Sequence, residues 1–145
     1  VDADGAGLQG AAAAPGDAMS HLREAVLQLV DWVIANREFV GHLVLAASAG
    51  EGAARRFLST MDRRHPVLLL QLIGQAQASG HLRPEPPLHV MLFLMSTLAL
   101  PVPVLHLLSQ QAFAPAAMLG QLQAYATDRA LVAERLGWAL RGLAP

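Results

Sequence analysis

Few side chains in this sequence have the spacing that catalysis or metal binding requires. The six histidines form no i, i+3 or i+4 pair and no HExxH motif occurs, so a metal site would need ligands from separate helices. The acidic pair Asp2 and Asp4, and the looser pair Glu51 and Asp62, fall in loops or at helix ends, where charges are usually solvated. The chain has no cysteine, which removes disulfides and thiolate chemistry. We therefore expect no catalytic residue, cofactor or metal, with a small helical enzyme or metal-binding protein as the alternative.

The basic residues are few, and all of them are arginines. The formal net charge is −1, so the chain lacks the basic field that holds a phosphate backbone. Arg55, Arg56 and the run at 63–65 lie beside acidic residues without interleaved aromatic side chains. This pattern favours a solvated helix face over a nucleic-acid patch. We expect no sequence-specific DNA binding by these residues alone.

The apolar residues exceed what one small core needs. Hydrophobic residues make up 54% of the chain and charged residues only 14%, so a partner subunit or a ligand cavity is expected to cover the excess. A small-molecule pocket combines apolar surface with a few polar groups. The residues that fit this description on helical apolar faces are Trp32, Phe39, His42, Gln71, Gln75, Met91 and Met95. For each of them, ordinary core packing is the alternative interpretation.

The apolar periodicity is helical throughout, which predicts an all-α fold without strands. Predicted helices span 17–36, 39–47, 53–64, 66–79, 88–100, 116–125 and 128–141. The fourth is apolar nearly all round, so we expect it in the middle of a bundle, with Gln71 facing a mainly apolar cavity among the first, second, fourth and fifth helices. Residues 1–17 have the small-residue composition of a linker and not of a signal peptide, which leaves 18–145 as one domain.

A stiff corner, "SGHLRPEPP", connects the fourth and fifth predicted helices. Gly80 supplies a left-handed residue that ends one helix, and Pro86 or Pro87 suits the first turn of the next. The fifth helix is apolar on two faces, so its second face needs another cover, either a second copy or the segment at 109–125. The uncharged stretch at 88–108 is long enough to cross a membrane, but two prolines, two histidines and the lack of a flanking aromatic belt favour a buried interface helix.

The corner "SGHLRPEPP" and the terminal "ERLGWALRGLAP" resemble the C-terminal half of TetR-type transcriptional regulators. The resemblance covers roughly 18–145 and implies the ligand-sensing and dimerisation domain of a cytoplasmic bacterial regulator, most often a repressor. It implies a homodimer that binds a small apolar or amphipathic ligand and makes no membrane contact. DNA would be read only through an N-terminal helix-turn-helix, which is not among these 145 residues.

In that family the last two long helices of each subunit form a four-helix bundle with their two-fold mates. The corresponding segments here are 88–100 and 128–141. The interface residues expected on them are Leu88, Leu92, Phe93, Leu98, Val132, Leu136 and Leu140.

Overall fold

The computed structural model describes residues 17–52, 55–56, 64–110 and 115–145. Within these ranges the chain forms α1 (Ala18–Ala35), α2 (Arg37–Ser48), α3 (Arg64–Ala78), α4 (Pro87–Leu98), α5 (Pro101–Ser109), α6 (Ala116–Thr127) and α7 (Arg129–Gly142). The same ranges contain no β-strand, so the all-α prediction is confirmed. The predicted linker at 1–17 and the predicted third helix at 53–64 lie almost wholly outside the described residues.

Helix α1 is bounded by two side-chain caps. The Asp17 carboxylate accepts hydrogen bonds from the Ser20 hydroxyl (2.9 Å) and the Met19 N–H (3.0 Å), which together hold the pKa of Asp17 below its ordinary value. The cap therefore stabilises the fold above the unfolded pKa of this carboxyl and is lost as the pH falls through the lowered folded value. At the other end, Asn36 donates from its backbone and its side chain to the Trp32 carbonyl (3.0 and 2.9 Å), which ends the helix.

The main core surrounds α1. Its fully buried side chains come from α1, α3, α4 and α7, and include Leu22, Val26, Leu72, Ile73, Leu94, Leu98, Val132 and Leu136. A smaller core lies beyond it, where Val33 of α1 meets Val102 of α5 and Ala126 of α6. These two clusters make α1 the central helix of the described bundle.

Helix α3 was predicted to lie in the middle of the bundle, and this prediction is wrong. It packs against α1 and α4 on one side, while Gln71, Gln75 and Val67 on the other side are exposed. Uniform apolar composition does not distinguish a central helix from one that leaves leucines and valines partly in solvent. The glutamine stripe points to water and not into a cavity.

The corner between α3 and α4 has the predicted construction and one additional feature. Gly80 has φ +77°, the left-handed value that closes a helix, and Pro87 is the first residue of α4. The Gln77 amide donates to the carbonyls of Glu85 (2.6 Å) and Arg83 (3.2 Å), so a side chain of α3 fixes the residues that lead from the turn to α4. Leu82 is buried in the main core beneath this turn.

The corner is also hydrogen-bonded to the end of the chain. The Arg83 N–H donates to the Leu143 carbonyl at 2.8 Å, and the Arg83 guanidinium donates to the Ala144 carbonyl at 3.4 Å, 61 residues away in sequence. Leu143 packs against the main core just before this point. We refer to the contacts of Gln77, Arg83, Leu143 and Ala144 as the corner clamp. It fixes the start of α4 beside the end of α7.

The apolar stretch that follows the corner is divided by proline. Helix α4 ends at Leu98 and α5 begins at Pro101, because proline has no N–H for the hydrogen bond that a continuous helix would need. The Leu100 N–H bonds instead to Met95 (2.9 Å), one residue further back than in a regular helix. The bend lets α5 turn toward α2, where Gly41 allows close packing: a β-carbon there would lie 3.1 Å from Leu107.

Replacing Gln77 with glutamate tests the corner clamp. The substitution keeps the shape of the side chain but removes both N–H donors and turns a carboxylate toward two carbonyls, so we expect a loss of about 0.5 to 1.5 kcal/mol in the free energy of unfolding at neutral pH. The loss should shrink in acid, where a protonated carboxyl can donate again. Gln75→Glu, on the exposed face of the same helix, is the matched control and should change the stability little. Equal effects of the two variants in urea unfolding would contradict the assignment.

Candidate apolar face and ligand groove

An apolar surface lies on the outside of α4 and α7. Leu88, Leu92 and Phe93 of α4 and Trp138 of α7 are exposed to between 41% and 57%. Phe93 and Gly142 line one depression of about 240 Å³, to which Arg83, Glu85 and His89 also contribute. Trp138 lies one helical turn before Gly142, on the same side of α7. We call Leu88, Leu92, Phe93 and Trp138 the outer apolar face. Apolar surface concentrated in this way is typical of interaction sites.

The residues expected at a dimer interface divide into two groups. Leu88, Leu92 and Phe93 are on the outer apolar face. The other four are placed in the main core of the same chain, with no more than 3% exposed: Leu98, Val132, Leu136 and Leu140. These four side chains pack within their own chain and do not fit the expected role at an interface. Trp138, which the sequence analysis had not selected, is 52% exposed on α7.

The described part of the segment at 109–125, which is 109–110 and 115–125, does not cover the outer apolar face. Helix α6 packs against α5 and α7, and the exposed α4 side chains remain exposed in its presence. Among the described residues, none covers this face of α4.

An apolar groove of about 290 Å³ lies between α1, α2, α4 and α5. Its lining consists of Val33, Val40, Val44, Leu92, Met95, Ser96, Ala99, Leu100 and Pro103. Ser96 is its one polar lining residue, and no charged side chain contributes. Such a surface suits an apolar molecule, which gains from leaving water and meets no buried charge. Leu92 belongs both to this groove and to the outer apolar face.

A second, more enclosed concavity lies on the other side of the small core. This polar pocket, of about 220 Å³, is lined by Ile34, Arg37, Val102, His106, Gln123, Ala126 and Thr127. Val33 lines the apolar groove and Val102 lines the polar pocket, and the two side chains pack together in the small core between them. Helix α5 borders both concavities. The two concavities therefore offer different chemistry on opposite sides of α5.

The predicted ligand-binding residues are dispersed over the molecule. Met95 lines the apolar groove, Met91 and Trp32 are half-buried against the two cores, and Gln71 and Gln75 are exposed on α3. Phe39 and His42 lie on α2 beside an open depression of about 380 Å³ whose other lining residues are Ala35, Asn36 and Glu38. The groove lies among the first, second and fifth predicted helices and the segment after them, the fourth does not contribute, and Met95 alone of the predicted ligand-binding residues lines it.

Comparisons with models of protein families, with curated proteins and with solved structures find no match to this chain. The assignment of a function therefore depends on the chemistry of the surfaces and on the residues that carry the family resemblance.

Two further observations concern metal binding and membrane crossing. Among the described residues, no three histidine, aspartate or glutamate side chains are grouped as metal ligands would be. The 23-residue stretch Pro87–Ser109 is long and apolar enough to cross a membrane, and only 28% of its most apolar window is buried. That test considers length and composition alone, and the structure divides the stretch into α4 and α5.

Sequence reasoning missed several groove residues for an identifiable reason. Val40 and Val44 lie four residues apart on the apolar side of α2, and Val44 is 40% exposed. Periodicity identifies the apolar side of a helix, but it does not show whether that side is packed or open. Leu100 lies in the bend between α4 and α5, and Pro103 lies in the first turn of α5 just after it.

Binding of an environment-sensitive apolar dye such as Nile red tests the groove. We expect a saturable rise in fluorescence with the unmodified chain, weakened at least about tenfold by Val44→Glu, because the dye would have to desolvate a charge. Leu45→Glu is the matched control: Leu45 is the next residue on α2, is 57% exposed and does not line the groove. Equal dye affinity in the two variants would locate the dye elsewhere.

Proposed function

We propose that this chain is the ligand-sensing and dimerisation domain of a TetR-like transcriptional regulator, acting as a homodimer. A small apolar molecule in the groove would shift the arrangement of the two subunits and so the spacing of attached DNA-reading domains. DNA binding would belong to an N-terminal helix-turn-helix outside these 145 residues. The domain itself would act by binding, without catalysis or a cofactor.

The observation that carries the proposal is the contact between the two segments that resemble the family. The corner at 80–84 and the terminal Arg141, Gly142 and Leu143 are far apart in sequence, yet the Arg83 N–H bonds to the Leu143 carbonyl at 2.8 Å. This contact aligns α4 with α7, the two helices that the resemblance assigns to the dimer bundle. Their outward side carries the outer apolar face, which has no cover within the described chain.

A physical route connects the groove to the proposed interface. Leu92 lines the groove and is also exposed on the outer apolar face, so a ligand against its side chain changes the surface that a second copy would meet. Such a ligand switches the dimer only if it binds one arrangement better than the other. A molecule with equal affinity for both arrangements would bind without a regulatory effect.

A membrane-associated bundle is the second candidate. The low burial of Pro87–Ser109 favours it, since side chains exposed on α4 could contact lipid instead of protein. Two observations favour a protein partner: the stretch bends at Pro101, and His106 lies on α5 within it. The membrane-associated bundle would be supported if the chain floats with neutral lipid vesicles and needs detergent to stay in solution.

Sedimentation equilibrium of surface variants tests the dimer. We expect the unmodified chain to sediment as a dimer at micromolar concentration, with an interface of more than about 1,000 Å². Leu88→Glu and Trp138→Glu should each raise the dissociation constant at least about thirtyfold, because both place a charge in a contact that excludes water. These positions are 54% and 52% exposed in the single chain, so the substitutions should leave its fold intact.

Leu45→Glu provides the control for these variants. It adds the same charge at an equally exposed leucine on α2, away from the outer apolar face, and should remain dimeric. A monomer for the unmodified chain would overturn the proposal. So would equal weakening by all three substitutions, since net charge and not a specific face would then govern association.

A further inference from the structure

The polar pocket between α1, α2, α5 and α6 has a charge distribution that the proposed function does not use. Arg37 is its one charged lining residue, and no carboxylate lines it. The neighbouring acid, Glu38, lines the separate depression beside His42. The pocket is thus positively charged at its rim, although the chain as a whole has a formal net charge of −1.

The Arg37 guanidinium is positioned but largely unused. Its Nη1 donates to the Ile34 carbonyl at 2.8 Å, which ties the side chain to the last turn of α1. Arginine carries five N–H donors, and no other described residue accepts from this one. The side chain is therefore held at one point and presents its remaining donors to whatever enters the pocket.

The opposite wall is polar and has its own internal support. The Gln123 amide donates to the Ser109 hydroxyl at 2.6 Å, which in turn donates to the His106 carbonyl at 2.6 Å. These bonds orient Gln123 and leave its amide oxygen without a donor among the described residues, while the His106 ring has only a long contact to Gln110 (3.4 Å). The wall presents one acceptor and one ring nitrogen beside the cation.

The floor of the pocket is apolar and small. Its apolar lining residues are Ile34, Val102 and Ala126. Val102 and Ala126 are each only 1% exposed, so Ile34 supplies most of the apolar surface that an occupant could touch. A volume of about 220 Å³ is below the roughly 300 to 1,000 Å³ of pockets that hold drug-sized molecules. An occupant must be small, with one apolar part and one anionic part.

We propose that the polar pocket binds a small carboxylate with a short apolar body, as a ligand site distinct from the apolar groove. The carboxylate bonds to the Arg37 fork, whose geometry matches two carboxylate oxygens, and the apolar body lies against Ile34. A phosphate or nucleotide fits less well, because one arginine offers little charge to a dianion and the floor offers nothing polar. The site requires neither dimerisation nor DNA binding.

Titration calorimetry with matched acids and amides tests the site. Butyrate and benzoate are the probes, and butyramide and benzamide have the same shapes without the charge. We expect saturable binding of the acids and at least about tenfold weaker binding of the amides, since hydrogen bonds to a charged group contribute more than neutral ones. Equal affinity for acid and amide, or no binding of any probe tighter than about 10 mM, would overturn the proposal.

Variants locate the binding and separate it from stability. Arg37→Gln should weaken benzoate about ten- to a hundredfold and leave benzamide unchanged, whereas Arg23→Gln, an exposed arginine of α1, should change neither. Thr127→Leu reduces the pocket volume and should abolish benzoate binding with Arg37 intact, so it keeps the test valid if Arg37→Gln fails to fold. Unchanged benzoate affinity in Arg37→Gln or in Thr127→Leu would show that the acid binds elsewhere.

Discussion

The corner clamp is the contact on which the arrangement of the bundle depends. Gln77 holds the turn after α3, and Arg83 connects that turn to the carbonyls of Leu143 and Ala144. Without these bonds α3 and α4 would still be joined through a short turn, but nothing in that turn would determine where α7 ends. The clamp brings the first residues of α4 and the last residues of α7 to one end of the molecule. The outer apolar face and the orientation of the groove follow from that placement.

The excess of apolar residues is distributed unequally by this arrangement. The core around α1 buries the apolar residues on one side of α3, α4 and α7. The small core of Val33, Val102 and Ala126 buries those on the facing sides of α5 and α6. The second side of α4 remains, because α3 and α7 already occupy its inner side and the proline bend turns α5 away. Leu88, Leu92 and Phe93 therefore stay exposed on α4.

Most of the secondary structure could be predicted from the sequence, because local signals determine it. Asp17, Gly80, Pro87 and Asp128 cap or start helices near the predicted places. What periodicity could not determine was which of two apolar stripes faces inward: Leu98 and Leu136 are core, whereas Leu88 and Trp138 are outside. That choice depends on how the helices meet, and hence on contacts such as Arg83 with Leu143 that no local pattern encodes. The approach of Leu107 to Gly41 is of the same long-range kind.

The central claim is that the clamped pair α4 and α7 presents a face to a second copy of the chain. Because the sequence has no cysteine, Ser96→Cys, on the exposed side of α4, and Ser48→Cys, at the end of α2, each provide one unique site for a spin label. Pulsed electron paramagnetic resonance then measures the distance between the two labels of a symmetric pair. The account predicts a single narrow distance at Ser96 that is shorter than the distance at Ser48. No measurable distance at either site, or a shorter one at Ser48, would contradict it.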